Sequence, residues 1–417
     1  MGEGGFSGSC LGEGAEEVVT RILLISQNFP PEQFGNASRV YDLSKHLVEL
    51  GCKVMVMAPH PTFPFGSFPR VKRWKEETSI AGIRLLRMRT VQPQSNTPSF
   101  SMRMGYYLSF PLHAVLWALW MRREYEVVVT TNPPIFTGIT GLLVKKLTGK
   151  PWVLDIRDLW IDASISLGFI QKGSMFERVS RWYERLCFTG CDSITVTTSE
   201  IQRLLEERYP VAKGKILVMP NGVDMAVFQP AQAKKPRIIY SGLLGTAQDL
   251  EVVIRAFARV RQKHQVMLYL VGDGELRRGL EDLAREEGVQ DAVVFTGLLD
   301  REQVPGLIAG SLVGLAPLKD EQSLRYAIPT KALEYMACGI PFIAMGHGEI
   351  ERLAERSKAG LVAENTVASL SGLLNRVLAD ETMRAEMGRK GRRFVEGSYD
   401  RRKIAERFLT AVQQMMT

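Results

Sequence analysis

Residues 126–156 read EVVVTTNPPIFTGITGLLVKKLTGKPWVLDI. Apolar runs without polar alternation occupy residues 126–131 and 151–156, and the segment between them has apolar residues at helical spacing. Strands that lack polar alternation and are separated by helices are typical of a parallel sheet that helices cover on both faces. The segment therefore predicts a β–α–β unit of an α/β protein.

The same alternation continues on both sides of this unit. The N-terminal half contains five further apolar runs of strand length: RILLIS (21–26), KVMVMA (53–58), GIRLLRMR (82–89), SITVTT (193–198) and KILVMP (215–220). A second series begins after FQPAQAKKPR (228–237): RIIYSG (237–242), VMLYLVG (266–272), AVVFTG (292–297), LVGLAP (312–317) and PFIAM (341–345). The two series predict two doubly wound, Rossmann-like parallel-sheet domains of similar size.

These series also set the domain boundaries. We predict a flexible leader at 1–20, a first domain at 21–228, a second domain at 236–399 and a C-terminal helix at 400–417. The leader is glycine-rich and does not show the pattern of a secretory signal. Helices of the second domain are expected to begin near Gln248, Glu275, Arg301 and Thr330. A ligand is expected in the cleft between the domains, outside the carboxyl ends of the strands.

The composition excludes several classes of protein. The chain has 417 residues, of which 45% are hydrophobic and 24% charged, and these values are near globular averages. The five cysteines lack the spacing of a disulfide scaffold, so a reducing cytosol is expected. The five histidines form no triad or metal spacing, which argues against a hydrolase. The net charge of +8 comes without a nucleic-acid-binding module, so no nucleic-acid partner is expected.

A basic and apolar segment lies in the first half of the chain. No carboxylate occurs between Glu77 and Glu124, and residues 106–121 read YYLSFPLHAVLWALWM. This run is shorter than the roughly 20 residues that span a bilayer. It is either a buried helix of the first domain or a helix at 103–123 in an anionic lipid interface. The second interpretation, which we favour, predicts a peripheral protein on the inner face of the cell membrane, with contacts from Arg103, Trp117, Trp120, Arg122 and Arg123.

Glycine-containing turns before helices offer backbone N–H groups and a positive helix dipole to an anion. They predict donor-binding positions at Gly35, Gly242, Gly245, Gly272 and Gly274. A more specific signal is IPTKALEYMACGIPFIA (328–344), in which Lys331 lies in the first turn of a helix and Glu334 about one turn further. A lysine at this place indicates an anionic ligand, and the alternative is a surface Lys–Glu pair.

These features resemble the GT4 family of retaining glycosyltransferases, which has the GT-B architecture, and within it the WbuB-like group that builds surface polysaccharides. The resemblance runs from about Arg21 to the C-terminus. It rests on FPPEQFGNASR (29–39), TNPPIFTG (131–138), DIRDLWIDASISLGF (155–169), PNGVD (220–224), YSGLLGTAQDL (240–250), VGDGELRRGL (271–280) and PTKALEYMACGIPFIA (329–344). It implies a nucleotide-sugar donor held mainly by the second domain and an acceptor held mainly by the first. It also implies that the terminal helix, from about Asp400, crosses back onto the first domain.

The chain departs from the family pattern at two places. The family's paired glutamates, E-x7-E, would put the first at the position of Tyr326, so the resemblance retains only Glu334, at the ribose of the donor. The arginine and lysine that many members carry after the first strand of the second domain are here Leu243 and Gln248. The resemblance then leaves Lys331, with Arg325 or Arg277, to neutralise the diphosphate.

The chemistry of the residues agrees with a transfer reaction. Helix N-termini and Lys331 can stabilise a leaving diphosphate without a metal, and no Asp-x-Asp cluster is present to bind one, so no metal or other cofactor is expected. Asp158 is the candidate for orienting the acceptor or stabilising positive charge on the sugar, and helix capping is its alternative role. Asn36, Arg157 and Tyr326 are expected to face the acceptor or the transferred sugar, although Arg157 could equally pair with Asp158 structurally.

The main hypothesis is a retaining hexosyltransferase that moves a sugar from a UDP-sugar to a lipid-linked saccharide at the cytoplasmic face of the membrane. One alternative is a nucleotide-sugar epimerase of the same architecture, which has no need of the segment 103–123. The other is a non-catalytic donor-binding subunit of a polysaccharide assembly complex, an alternative that the tyrosine at position 326 favours.

Overall fold

The computed structural model describes residues 19–416, apart from residues 33–34, 167, 169 and 301. The leader predicted at 1–20 therefore lies almost wholly outside the described residues, as does Arg301, near which a helix was expected. Gly35 and Asn36 belong to the first helix, but the side chain of Asn36 lies outside the described part of the chain. The predictions for the Asn36 side chain and for the leader stay predictions.

The first sheet has eight strands in the order β3-β4-β2-β1-β5-β6-β7-β8. Their bounds are β1 Arg21–Ile25, β2 Lys53–Pro59, β3 Lys75–Ile80, β4 Ile83–Met88, β5 Val127–Asn132, β6 Trp152–Ile156, β7 Ser193–Val196 and β8 Ile216–Val218. The helices between them are α1 Gly35–Glu49, α2 Phe100–Trp120, α3 Gly138–Thr148, α4 Trp160–Ser166, α5 Met175–Gly190 and α6 Ser199–Arg208. The β–α–β unit from which the fold was predicted is β5–α3–β6.

One strand of this sheet departs from the predicted parallel arrangement. Strand β3 has the sequence KEETSI and pairs antiparallel with β4. It is an edge strand whose last four residues are all exposed, so it carries no apolar run. Charged, exposed side chains are common on edge strands because they oppose further pairing. The first sheet is therefore mixed.

The second sheet has six parallel strands in the order β11-β10-β9-β12-β13-β14. Its strands are β9 Arg237–Ser241, β10 Met267–Val271, β11 Val293–Gly297, β12 Val313–Ala316, β13 Phe342–Met345 and β14 Gly360–Ala363. Its helices are α7 Leu250–Arg261, α8 Arg277–Glu286, α9 Gln303–Ala309, α10 Thr330–Ala337, α11 Glu349–Ser357, α12 Val367–Ala379 and α13 Glu381–Ser398. The strand order reverses at β9 and β12, and such a switch point is where open α/β sheets bind ligands.

The helices of the first domain form two layers, one on each face of its sheet. Helix α1 shares a buried core with the C-terminal helix α14 (Arg401–Met416) on one face. Helices α2, α3, α5 and α6 bury their inner sides in a separate core on the other face. The terminal helix thus lies on the first domain, where Arg401 forms an ion pair with the buried Asp42.

The two domains touch on one side of the cleft. The Thr198 hydroxyl of the first domain donates to the backbone carbonyl of Tyr326 over 3.1 Å. Arg352 of the second domain pairs with Glu200 at 3.3 Å. The Tyr326 ring, 7% exposed, belongs to the apolar core of the first domain. These contacts hold the carboxyl ends of the two sheets toward each other.

Candidate active site

A cleft of about 680 Å³ separates the two domains. The chain segments that follow the strands of both sheets bring polar side chains to it. From the first domain these are Glu32, Ser38, Arg39, Arg157, Asp158, Thr197 and Asn221, and from the second Asp300, Tyr326, Thr330 and Glu334. Charged and hydroxyl groups of both domains can therefore contact the same bound ligands in the cleft.

Lys331 lies in the first turn of α10, beside this cleft. It is 9% exposed, and its Nζ donates to the Gln248 side-chain oxygen over 2.9 Å and lies 4.6 Å from the centre of the Tyr240 ring. Among the described residues it forms no ion pair. Burial lowers the pKa of Lys331 to about 8, although the nearby Glu334 charge acts in the opposite direction. An ammonium group held by a neutral amide and an aromatic face keeps its charge available to an anion.

The turn after β9 brings Gly242 against this lysine. Gly242 has a φ of +143°, and a Cβ there would lie 3.1 Å from Cε and 3.3 Å from Nζ of Lys331. The absence of a side chain at Gly242 thus lets the backbone approach the ammonium group closely. Gly245 precedes the 3₁₀ turn Thr246–Gln248, which places Gln248 beside Lys331.

The glycine turns of the second domain differ from the sequence expectation in how their N–H groups are used. The N–H of Gly242 donates to the Val271 carbonyl and that of Gly272 to the Gly297 carbonyl. The N–H of Gly274 donates to the Asp273 carboxylate. A Cβ at Gly272 would lie 2.1 Å from the Gly242 carbonyl oxygen. These glycines therefore allow two loops to pack closely, and their donors are already engaged within the protein.

Glu334 and Tyr326 approach the cleft from the second domain. Glu334 lies one turn after Lys331 and is half-buried in the cleft wall. Tyr326 lines the same cleft, and burial together with the nearby Asp158 carboxylate raises the pKa of its phenol well above the usual range. The structure thus brings Tyr326 next to Asp158 of the first domain.

Asp158 follows β6 directly. Its carboxylate is open to the cleft, yet protein surrounds it on its other sides, and this burial raises its pKa to about 6 against the effect of Arg157. The first turn of α4 uses its backbone carbonyl, which accepts from Trp160 N–H at 2.9 Å. No capping bond from its side chain is recorded among the described residues. The Asp158 carboxylate is therefore directed to the cleft.

A buried charge network that the sequence did not single out supports Arg157. Asp155 accepts from Arg157 Nε at 3.0 Å, from the Thr195 hydroxyl at 2.7 Å and from Arg39 at 3.4 Å. Burial would raise the pKa of Asp155, but the two arginines and the hydroxyl lower it below its ordinary value. Arg39 also donates to the Met219 carbonyl, so the network joins α1 to the loop after β8. Arg39 and Asp155 both lie in motifs that resemble the GT4 family, and this was the sequence signal that could have identified them.

The other two arginines considered for the diphosphate lie elsewhere. Arg325 pairs with Asp320 at 2.9 Å and lines a separate pocket of about 440 Å³ with Glu200 and His347. Arg277 pairs with Glu281 at 2.8 Å and lies 3.5 Å from Asp273. The described lining of the cleft includes none of the three cations, but it includes Thr330 and Glu334, which flank Lys331 on α10. Of the three candidate cations, Lys331 is the one adjacent to Glu334 and the cleft.

The basic, apolar segment forms helix α2, whose inner side is buried as the first interpretation expects, whereas the lipid interface stays a prediction. The inner side of the helix is buried with Tyr106, Phe110, Ala114 and Ala118 in the core. Its outer side exposes Trp120 by 71%, whereas Trp117 is half-buried and Arg103 donates to the Pro98 carbonyl at 3.2 Å. Arg122 and Arg123 are exposed just beyond the helix.

The described residues contain neither a membrane-spanning helix nor a metal-binding cluster. Of the helices in that part of the chain, none is both long enough and apolar enough to cross a membrane. The same residues contain no group of three His, Cys, Asp or Glu side chains placed to hold a metal ion.

Comparison with known proteins agrees with the architecture. The family model "Glycosyl transferases group 1" matches residues 226–394, and the model "Glycosyltransferase Family 4" matches residues 35–227. The putative colanic acid biosynthesis glycosyl transferase WcaI of Escherichia coli K12 is 24% identical over 94% of this chain and 100% of its own. The MMP alpha-(1->4)-mannosyltransferase of Mycolicibacterium hassiacum is 26% identical over 89% of this chain and 93% of its own.

Solved structures share the fold over nearly the whole chain. Sucrose-phosphate synthase from Thermosynechococcus elongatus superimposes with a TM-score of 0.73 at 20% identity, over 95% of this chain and 99% of that one. Anabaena HepE in complex with UDP and glucose gives a TM-score of 0.69 at 17% identity, over 95% and 100%.

Two Rossmann-like domains that face each other across a polar cleft define the GT-B fold. The two matching models together extend from residue 35 to residue 394, and the chain belongs to the GT4 family of glycosyltransferases. It is therefore a glycosyltransferase of group 1.

Proposed function

We propose that this glycosyltransferase is a retaining hexosyltransferase that uses a UDP-sugar and extends a lipid-linked saccharide, as members of the WbuB-like group do. The observation that supports a nucleotide-sugar donor is the environment of Lys331. Its ammonium group is buried, forms no ion pair among the described residues and lies one helical turn from Glu334. A buried cation stabilises the folded protein poorly unless an anion accompanies it. A nucleoside diphosphate supplies that anion.

The proposed donor position follows from the chemistry of α10. The diphosphate lies against Lys331 and the start of α10, and the Glu334 carboxylate accepts from the vicinal hydroxyls of the ribose. HepE, which shares the fold, was crystallised with UDP and with UDP-glucose. This supports a UDP-sugar as the donor class for the present chain.

The proposed transfer step uses Asp158 on the acceptor side. The bond between the anomeric carbon and the diphosphate breaks, and Lys331 stabilises the charge that develops on the leaving group. The acceptor hydroxyl forms the new bond and gives its proton to the Asp158 carboxylate, which its pKa of about 6 leaves ionised at neutral pH. Attack on the face that the diphosphate leaves gives retention.

A lipid-linked acceptor is supported by the outer side of α2. Its exposed apolar residues and the exposed Arg122 and Arg123 match the composition of a surface that lies in an anionic lipid interface. We therefore place the protein peripherally on the inner face of the cell membrane.

Product analysis and calorimetry test the proposal. UDP should bind the purified protein, and Lys331→Ala should weaken that binding. UDP-sugar should be consumed faster in the presence of membrane lipid extract that contains saccharide acceptors, with a glycosylated lipid as the product. Formation of an epimeric nucleotide sugar without acceptor would instead identify an epimerase. If the protein binds UDP but turns over no sugar nucleotide, the result would support the alternative of a non-catalytic donor-binding subunit.

A further inference from the structure

Helix α5 carries an exposed apolar stripe that lies outside segment 103–123. Met175, Val179, Trp182 and Leu186 are exposed by 81%, 51%, 63% and 37%. Their spacing of four, three and four residues places them on one side of the helix. The opposite side buries Cys187 and Phe188 in the core of the first domain. The stripe is therefore the solvent side of a well-packed amphipathic helix.

This stripe continues across the neighbouring helices. On α2, Leu108, Leu112, Leu116 and Trp120 are exposed by 45–71%. On α3, Leu147 is exposed by 63%. Because α2, α3 and α5 bury their inner sides in the same core on one face of the sheet, their outer sides point in the same direction. We call these nine side chains the apolar face.

The charges around the apolar face are mostly basic. None of the exposed residues of α2, α3 and α5 is a carboxylate. Six exposed side chains on these helices and directly beside them are basic, namely Arg122, Arg123, Lys146, Lys172, Arg178 and Arg185. Within the described part of the chain none of the six forms an ion pair. Two exposed carboxylates lie just beyond the helices, Glu124 and Asp192, and Asp192 is paired with Lys145. Glu124, which follows Arg123, is bound by Arg84.

This combination favours one kind of occupant. Two copies of the apolar face would bring the same basic groups together, and like charges oppose such a dimer. A bilayer that contains anionic lipid receives the apolar side chains in its interface and attracts the arginines and lysines. We infer that α2, α3 and α5 together dock on an anionic bilayer, with α5 as a second membrane-contacting helix.

The position of α5 relates this surface to the acceptor side of the cleft. Helix α4 begins two residues after Asp158 and packs against α5. Asp162 of α4 receives two hydrogen bonds from Arg181 of α5, at 2.8 and 3.1 Å. A bilayer on the apolar face thus lies close to the segment that carries Asp158. This inference rests on the proposed function, in which the acceptor is lipid-linked. A bilayer docked on the apolar face would bring such an acceptor close to the cleft.

Vesicle binding tests the role of α5. The double variant Met175→Ser/Trp182→Ser should bind vesicles of phosphatidylcholine and phosphatidylglycerol at least about tenfold more weakly than the unchanged chain at low salt. The matched control is Leu243→Ser/Leu298→Ser, which removes two leucines of the second domain that are exposed by 68% and 73%. It should bind the vesicles as the unchanged chain does. Equal vesicle affinity of the α5 variant and the unchanged chain would overturn the inference.

A charge-reversal variant gives an independent readout. Arg178→Glu/Arg185→Glu keeps the apolar stripe, so it should lose affinity for the anionic vesicles while binding pure phosphatidylcholine unchanged. If light scattering shows a dimer that Met175→Ser/Trp182→Ser dissociates, a second copy covers the face and the inference is wrong. UDP calorimetry on the α5 variants separates the two proposals. If an α5 variant loses vesicle binding but still binds UDP, the substitution has affected only the membrane contact. If the unchanged chain does not bind UDP, the proposed donor is wrong.

Discussion

Lys331 Nζ donates to the side-chain oxygen of Gln248 over 2.9 Å, although 83 residues separate them in sequence. The two residues reach this contact from the helix after β12 and from the turn after β9, on either side of the point where the strand order reverses. Because the partner is an amide, the lysine is positioned without losing its charge. This contact holds the ammonium group beside the cleft, next to Thr330 and Glu334, which line it.

Lys331→Ala should weaken UDP binding by about 10- to 150-fold, which corresponds to about 1.5–3 kcal/mol for a hydrogen bond to a charged group. Calorimetry with UDP measures the effect. Lys263→Ala removes an exposed lysine of the same domain and should leave the affinity unchanged. Equal UDP affinities of the unchanged chain and Lys331→Ala would remove this lysine from the donor site.

The affinity for UDP should fall as the pH rises through about 8. Burial lowers the pKa of Lys331 to about 8, so the free protein loses the ammonium charge above that value. Bound diphosphate favours the charged form, so binding above pH 8 should take up a proton. Calorimetry in buffers of different ionisation enthalpy detects this uptake. The dependence should disappear in Lys331→Ala, and its persistence there would assign it to another group.

Glu334→Ala should weaken UDP binding, because it removes a carboxylate that accepts from two ribose hydroxyls. The loss should exceed the contribution of an exposed ion pair, which is about 0.2–1 kcal/mol. Inorganic pyrophosphate has no ribose and serves as the control ligand. It should bind Glu334→Ala no more weakly than it binds the unchanged chain. A parallel loss for both ligands would place Glu334 at the phosphates instead of the ribose.

Asp158→Asn should remove the acidic limb of the pH profile of turnover. Burial raises the pKa of Asp158 to about 6, so its carboxylate becomes ionised, and turnover should rise, as the pH increases through that value. The asparagine variant should show little turnover and no such rise, with UDP affinity intact. Asp300→Asn, on the opposite wall of the cleft, should keep the limb. A limb unchanged in Asp158→Asn would argue against this carboxylate as the base.

Tyr326→Phe should change the discrimination among nucleotide sugars and leave the affinity for free UDP unaltered. The ring stays in the core of the first domain, and the bond from Thr198 involves the backbone, so only the hydroxyl is removed. Competition between two UDP-sugars measures the discrimination. A loss of affinity for UDP itself would place Tyr326 near the nucleotide and not near the transferred sugar.

The apolar runs predicted most of both sheets, because buried parallel strands have a strong sequence signal. Two strands were missed for opposite reasons. Strand β3 is exposed and charged, and β14 has only four residues, GLVA. Strand β3 contains no apolar run, whereas β14 is apolar throughout but short and mostly half-buried.

The sequence identified Lys331, Glu334 and Asp158 as candidates, since each lies next to a strand end or helix start that the pattern predicts, and their roles stay predictions. It did not give the contacts that position them. The bond between Lys331 and Gln248 and the ion pair between Arg39 and Asp155 join residues that are 83 and 116 positions apart. The hydrogen bonds that the N–H groups of Gly242 and Gly272 donate could not be predicted from the sequence either, because they depend on how closely two loops pack.

The C-terminal helix has a consequence for how the protein is made. Ile404, Phe408 and Val412 complete the core on one face of the first sheet, and each such side chain contributes about 1.5–3 kcal/mol when buried. They emerge from the ribosome after the whole second domain, a delay on the order of ten to forty seconds at typical synthesis rates of about 5–20 residues per second. During this interval Ile22, Leu24 and Val54 lack part of their cover. The first domain, although translated first, can therefore become native only after the C-terminal helix has left the ribosome.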